Sequence, residues 1–126
     1  MGVMEPWGRT RQSIGAFGED VVVRYLLQLG WLIVARNWRH PGGELDIVAR
    51  DGRDLVICEV KTRRGLVTGD PVEAVTPLKH RRLRQLARAW VDAHPDERAG
   101  HVRIDVLGVV LWSDRGEIHH LREVVP

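Results

Sequence analysis

Two short segments hold the residues best suited to chemistry, Gly43-Glu44-Leu45-Asp46-Ile47 and Ile57-Cys58-Glu59-Val60-Lys61. Each mixes apolar and polar residues with the period of a strand. Between them, Asp51-Gly52-Arg53-Asp54 puts Gly at the first central position of a two-residue turn. That suits a type II′ turn and predicts a hairpin. With Gly52 and Arg53 at its tip, Asp46 falls opposite Glu59 and Glu44 opposite Lys61. Directly paired Cβ atoms lie about 4.5–5.5 Å apart. Alternation places these four residues on one face with Val48, Leu55 and Ile57, and turns Leu45, Ile47, Cys58 and Val60 to the other.

Two carboxylates at that separation repel each other unless a proton or a cation intervenes. A hard divalent cation takes carboxylate, carbonyl and water oxygens, which Asp46, Glu59 and the Val60 carbonyl could supply. Lys61 would then stand beside the attacking water, where an ammonium orients a nucleophile or offsets charge developing on a phosphate. The plainer reading of the same residues is a charge ladder of Glu44 with Lys61, beside a solvated Asp46. Glu-x-Lys alone is a common chance pattern, and the opposed Asp46 is what gives it weight.

Local signals define the elements that must position these groups. Thr10 to Leu29 reads as a helix from Ile14, Phe17, Val21, Val22, Tyr25 and Leu26, with Gly30 as its stop. Gly15 and Gly18 each weaken it by roughly 1 kcal/mol relative to Ala, which suggests close packing at both. Trp31 to Arg39 reads as a strand ended by His40-Pro41-Gly42-Gly43, and Glu44–Arg50 and Leu55–Arg63 are the hairpin strands. Arg64 to Gly69 reads as a flexible loop, and Asp70-Pro71-Val72-Glu73 as a short capped helix start. Thr76 should cap a longer helix beginning at Pro77, with Leu83, Leu86, Ala87 and Trp90 buried and His94-Pro95 at its end. Val102–Trp112 reads as a fourth strand, and Glu117–Val125 as an edge strand. The order helix, three strands, helix, two strands predicts an α/β fold with a mixed sheet under helical cover.

The chain has 126 residues, 44% apolar and 29% charged, which suits one domain with a real core and excludes disordered or fibrous classes. Residues 1–10 read as a flexible N-terminal segment. No apolar run approaches the ~20 residues of a membrane span. Met1–Gln12 lacks the apolar stretch of a signal peptide, and a lone Cys58 forms no internal disulfide. The expectation is a cytoplasmic protein with no membrane partner.

The net charge is +2, yet the chain carries nineteen Lys and Arg, of which only Lys61 and Lys79 are lysines. Arginine suits phosphate, and a compositional bias explains the excess equally well. Lys79, Arg81, Arg82, Arg84 and Arg88 share one helix. Arg81, Arg84 and Arg88 form a stripe there that is either a phosphate contact or a solvated face. Arg63 and Arg64 follow the acid-bearing strand, where a substrate backbone would meet them first. Trp31, Trp90 and Trp112 read as core. Trp7 and Trp38 read as exposed or partly packed, with base stacking the sharper alternative. His119 and His120 point to opposite faces if extended and make no metal pair. Cys58 faces away from the acids, which argues against a Cys-His hydrolase. There is no Walker loop, dinucleotide fingerprint or four-cysteine zinc pattern.

Gly15-x-x-Gly18-Glu19, Arg36-Asn37, Gly43-Glu44-Leu45-Asp46, Glu59-Val60-Lys61-x-Arg63, Lys79 and Arg103-Ile104-Asp105 occur in that order. From about Gly15 to Asp105 the sequence closely resembles the YraN-like family of small nuclease-like proteins. That family is similar in turn to the PD-(D/E)xK nuclease superfamily, particularly the archaeal Holliday-junction resolvases. The resemblance implies a restriction-endonuclease-like core, with a five-stranded mixed sheet flanked by helices. It also implies a metal site at Asp46, Glu59 and Lys61, with Glu19 as an additional acid. Leu45 stands where the superfamily motif has Pro, although the YraN-like pattern has an aliphatic residue there. Val22 stands where the family usually has Ala.

The expected function is hydrolysis of phosphodiester bonds by an endonuclease dependent on Mg²⁺ or Mn²⁺. DNA is the first expected substrate, branched or structured, and RNA the second. Asp46, Glu59 and Lys61 would be catalytic, and Glu19, Asp46 and Glu59 would bind metal. Arg63, Arg64, Lys79, Arg81, Arg82, Arg84 and Arg88 would bind nucleic acid. Resemblance to resolvases suggests a homodimer, because two symmetric cuts need two active sites. The alternative is a non-catalytic nucleic-acid-binding module that retains a nuclease fold, and a weaker one is a protein-interaction adaptor. Metal-dependent cleavage separates the first two.

Overall fold

The computed structural model describes residues 7, 8, 10–65, 75–97 and 100–125. The first helix, α1 (Arg11–Gln28), begins at a reciprocal capping box. Thr10 Oγ1 accepts from the Ser13 amide at 2.9 Å, and Ser13 Oγ accepts from the Thr10 amide at 3.1 Å. It ends where Gly30 takes the left-handed φ of 86°, which the glycine stop anticipates. Strands β1 (Leu32–His40), β2 (Gly43–Asp51) and β3 (Asp54–Arg64) follow, then α2 (Pro77–Ala93), β4 (His101–Leu111) and β5 (Gly116–Leu121). Thr76 caps α2 through a bond from the Lys79 amide, with Pro in the first turn, as its sequence predicts.

The five strands form one sheet in the order β1-β2-β3-β4-β5. β3 and β4 are parallel and every other pair is antiparallel. A parallel pair needs a long crossover, and α2 lies within it. Val22 and Leu26 of α1 pack with Ile47, Val56, Cys58 and Leu107. Leu83, Leu86 and Trp90 of α2 pack with Val48, Leu55, Ile57 and Ile104. Neighbouring residues of β3 thus serve opposite cores, so one helix covers each face of a mixed α/β sheet.

Several details depart from the sequence expectations. Trp7 is buried, packed on Phe17 with ring centroids 6.1 Å apart, where its sequence position suggests an exposed or partly packed ring. Residues 1–6 and 9 lie outside the described residues, as do 66–74, which hold most of the expected loop and the expected Asp70-Pro71-Val72-Glu73 helix start. β5 stops at Leu121, short of Val125, because Glu123 turns to a φ of 50° and donates its amide to Asp105. The β2–β3 ladder holds the predicted register from Asp51↔Asp54 to Ile47↔Cys58 and then ends. The expected Asp46–Glu59 and Glu44–Lys61 pairs are not in it. Leu45 joins the α2 core with Val48, away from Ile47, so strict alternation fails at Asp46. Opposite it on β1, Asn37 has a φ of 51°, between the pairs Arg36↔Ile47 and Trp38↔Leu45.

A buried charge cluster pins the far end of the sheet. Arg103 donates to Asp105 at 3.1 Å, Asp54 at 2.6 Å and Asp51 at 3.0 Å, which offsets the repulsion of two aspartates facing each other across the hairpin turn. Asp105 also meets His120 Nε2 at 2.8 Å, and His120 Nδ1 meets the Tyr25 hydroxyl at 2.8 Å. Helix α1, the turn, β4 and β5 are thereby tied together.

The two helical glycines differ in their surroundings. A Cβ at Gly18 would lie 1.9 Å from Thr62 Oγ1 and 2.8 Å from Thr62 Cβ. Rotating Thr62 cannot relieve a clash with its own Cβ, so α1 would have to lift from β3. Gly18→Ala should therefore destabilise the fold by about 1–3 kcal/mol despite its better helix propensity, as measured by urea denaturation. A gain in stability would disprove this account of the packing.

Candidate active site

The site begins where β2 and β3 part. Asp46 Oδ2 accepts the Val60 amide at 2.9 Å, so a side chain takes a donor that a continued ladder would use. Beyond that point β3 stays with β4 as far as Arg64↔Leu111, while β2 stays with β1 as far as His40↔Gly43. The acids of the two strands are thus held at a strand divergence rather than in facing ladder positions.

Glu59 is buried, its side chain 6% exposed, and both lysines of the chain reach it. Lys79 Nζ, from the first turn of α2, lies 3.5 Å from Glu59 Oε1, and Lys61 Nζ lies 3.7 Å from the same oxygen. Glu44 is drawn away toward Arg39, at 4.0 Å, and toward Asn37. With its amide nitrogen facing the acids, Asn37 donates to Glu19 Oε1 at 3.0 Å and Glu44 Oε1 at 3.1 Å. Asn37 therefore links α1 to β2. The sequence marks Asn37 only as part of the Arg36-Asn37 motif of the family resemblance, and its role follows from the structure, where it takes a left-handed backbone that Asn tolerates better than most residues.

Burial first, and then the charge of Glu59, push the Asp46 carboxyl up to about 7, against the opposing effect of the Val60 hydrogen bond. Burial also raises Glu19, with Arg36 opposing and Glu44, Asp20 and Glu59 adding to it. Asp105 shows the contrast. Burial alone would raise it, but bonds from His120, the Glu123 amide and Arg103 hold it below the usual carboxylate range. Asp105 is compensated by fixed partners, whereas Asp46 is left in need of a proton or a cation.

The donor chemistry suits a hard divalent ion. Mg²⁺ binds through one or two carboxylates and keeps several waters, a demand that Asp46, Glu59 and the Val60 carbonyl can meet. Among the described residues no three His, Cys, Asp or Glu side chains are grouped to hold an ion unaided. The expected trio of Glu19, Asp46 and Glu59 is thus no ready-made cage. Glu19 acts on Asp46 through its charge and is itself engaged by Asn37.

The expected nucleic-acid contacts divide into two groups. Arg63 and Arg64 stand with Lys61 and Glu19 along a groove of about 620 Å³ at the end of β3. Arg81, Arg82, Arg84 and Arg88 are exposed along α2, and of that helix's cations Lys79 is the one paired with an acid of the site. Burial pushes the Cys58 thiol well above its ordinary value, which makes it an unreactive core residue. Trp38 stacks on His40 at 5.4 Å, and Trp31 and Trp90 are buried.

Comparison with known proteins sets this geometry in a family. The model of the uncharacterised protein family UPF0102 matches residues 18–109, a span that holds Glu19, Asn37, Asp46, Glu59, both lysines and Asp105. The chain belongs to UPF0102. A UPF0102 protein of Acidothermus cellulolyticus is 51% identical over 115 residues, covering 84% of this chain and 87% of the relative. One from Beutenbergia cavernae is 51% identical over 117 residues, covering 92% and 98%. One from Kineococcus radiotolerans is 48% identical over 108 residues, covering 86% and 88%. The UPF0102 match accords with the YraN-like motifs. Among the described residues no helix is long and apolar enough to cross a membrane.

The raised Asp46 carboxyl sets a pH dependence for this UPF0102 protein in EDTA. The folded state holds the Asp46 proton up to about pH 7, whereas the unfolded chain releases it near 3.8. The folded state thus binds more protons in that window, and stability falls as pH rises through it. Asp46→Asn keeps an acceptor for the Val60 amide and removes this loss. Its advantage over wild type should be absent below pH 4 and reach on the order of 1–3 kcal/mol above pH 7.5. Thermal melts across that range measure it, and a pH-independent difference would refute the assignment.

Proposed function

We propose that this UPF0102 protein is a phosphodiesterase dependent on Mg²⁺ or Mn²⁺, acting on DNA with branched or structured DNA first. The observation that carries this reading is the convergence of Asp46, Glu59, Lys61 and Lys79 where β2 and β3 separate. The element order, with a parallel β3–α2–β4 crossover in a five-stranded mixed sheet, supports the restriction-endonuclease-like core that the resemblance implies. The same resemblance supports a cytoplasmic homodimer.

Asp46 and Glu59 would hold the cation, which when bound activates water and neutralises charge on the phosphate. Glu19 adds negative charge nearby and is positioned by Asn37. Lys61 orients the attacking water or stabilises charge developing on the phosphate. Lys79 holds a non-bridging phosphate oxygen from the α2 side. Both ammoniums rest on Glu59 Oε1, within reach of a phosphate brought to that carboxylate. The same arrangement favours a second reading, a nucleic-acid-binding module in which two lysines simply neutralise a buried Glu59.

A panel of linear, flapped, branched and single-stranded substrates with Mg²⁺, Mn²⁺ or EDTA decides between them. Wild type should cut at least one substrate, and EDTA or Asp46→Asn should abolish the cut. Asp46→Asn and Glu59→Gln should each weaken Mn²⁺ binding in calorimetry. Lys61→Met should retain metal binding and lower cleavage by a factor on the order of 10² or more. Retained cleavage in Lys61→Met would remove its catalytic role, and no cleavage of any substrate would favour the binding module. Replacing Arg81, Arg84 and Arg88 together by Gln should flatten the salt dependence of duplex binding, by about 0.9 in slope for each phosphate no longer neutralised. An unchanged slope would make the stripe a solvated face.

A further inference from the structure

Two features of α1 run against helix physics, and both line the same groove. Gly15 lies inside the helix, in its second turn, where glycine is costly, yet among the described residues a Cβ there would meet nothing within 4 Å beyond its own stretch of helix. Close packing explains Gly18 and does not explain Gly15. Arg11 is the first residue of α1, at the positive end of the helix dipole, where a cation is disfavoured, and the first turn has no acid to offset it. Arg11 is exposed and forms no ion pair among the described residues. Locally unfavourable choices that converge on one surface are typical of functional positions.

The groove is a built feature. It encloses about 620 Å³, with Arg11, Gly15 and Glu19 on its α1 wall and Lys61, Arg63 and Arg64 on its β3 wall. Its size is that of a ligand cleft. Among the described residues Arg11, Lys61, Arg63 and Arg64 line it together with Glu19, and Lys61 also reaches Glu59. It therefore leads into the site where β2 and β3 part. A linear polyanion with a charge at each repeat suits such a row of guanidiniums opening onto a phosphodiesterase site.

We propose that this groove binds the sugar-phosphate backbone of a single nucleic-acid strand, with Arg11 contacting phosphate and Gly15 keeping the path open. The inference rests on the phosphodiesterase reading for the choice of occupant, and its test needs no cleavage. A fluorescently labelled single-stranded oligodeoxynucleotide is titrated with the full chain in EDTA, and anisotropy is followed at several salt concentrations. Wild type should bind. Gly15→Leu should lower affinity about tenfold or more while its thermal midpoint stays at or above wild type. Arg11→Glu keeps the variant set decisive should Gly15→Leu not fold, because an acid at that position favours the helix. It should bind at least tenfold more weakly, with the salt slope reduced by about 0.7 or more.

Wild-type affinity in a folded Gly15→Leu or in Arg11→Glu overturns the proposal, as does a wild type that binds no single strand. Polyglutamate that competes as well as unlabelled strand at equal charge would replace nucleic acid by an acidic peptide and overturn it too. Loss of binding in these variants, with no substrate ever cut, leaves the groove standing and removes the phosphodiesterase reading. Unchanged binding, with cleavage abolished in Lys61→Met, removes the groove and keeps the enzyme.

Discussion

The hydrogen bond from the Val60 amide to Asp46 is the interaction on which the site depends. A hairpin that continued its ladder would place Asp46 and Glu59 face to face, with two carboxylates in direct repulsion. By taking the amide with a side chain, Asp46 ends the ladder at Ile47↔Cys58 and lets the strands follow different partners. β3 continues against β4 and β2 against β1. The left-handed Asn37 and the change of face at Leu45 occur at the same level of the sheet. A local irregularity thereby separates β2 from β3 at the level of the acids.

The chain handles its two buried acidic clusters in opposite ways. Around Asp105, Arg103 and His120 supply fixed donors, and the carboxyl is held in its charged form. Such a cluster orders the structure and has little left to offer a ligand. Around Asp46 the neighbours are Glu59, Glu19 and Glu44, and the carboxyl is held toward its neutral form. Perturbed groups of the second kind concentrate at functional sites, because a missing counter-charge is what a ligand can supply.

The cationic residues divide along similar lines. Arg103 is consumed by structure, and Arg36 is paired with Asp20 at 2.8 Å. The lysines, compact and flexible charges, are both directed at Glu59, while arginines line the approach along the groove. An ammonium is a compact point charge and a guanidinium a planar fork, so the two kinds of cation occupy chemically distinct places, beside the acids and along the groove.

The sequence alone determined what local rules control. The Thr76 cap, the Gly30 stop, the Gly52 turn and the register of the hairpin up to Cys58 all depend on neighbours a few residues away. The acids and Lys61 were legible because a hairpin brings sequence-near residues together. The tertiary structure decided everything that required distant elements to meet. Only packing shows that Gly18 abuts Thr62 and that Gly15, among the described residues, abuts nothing beyond its own stretch of helix, since both read identically as helical glycines. Only the crossover through α2 carries Lys79 to Glu59, and only the turn of β1 at Asn37 ties Glu19 to Glu44. The predicted facing of Asp46 and Glu59 failed for the same reason. Strand alternation is a backbone rule, and it gave way where a side chain competed successfully for a backbone amide.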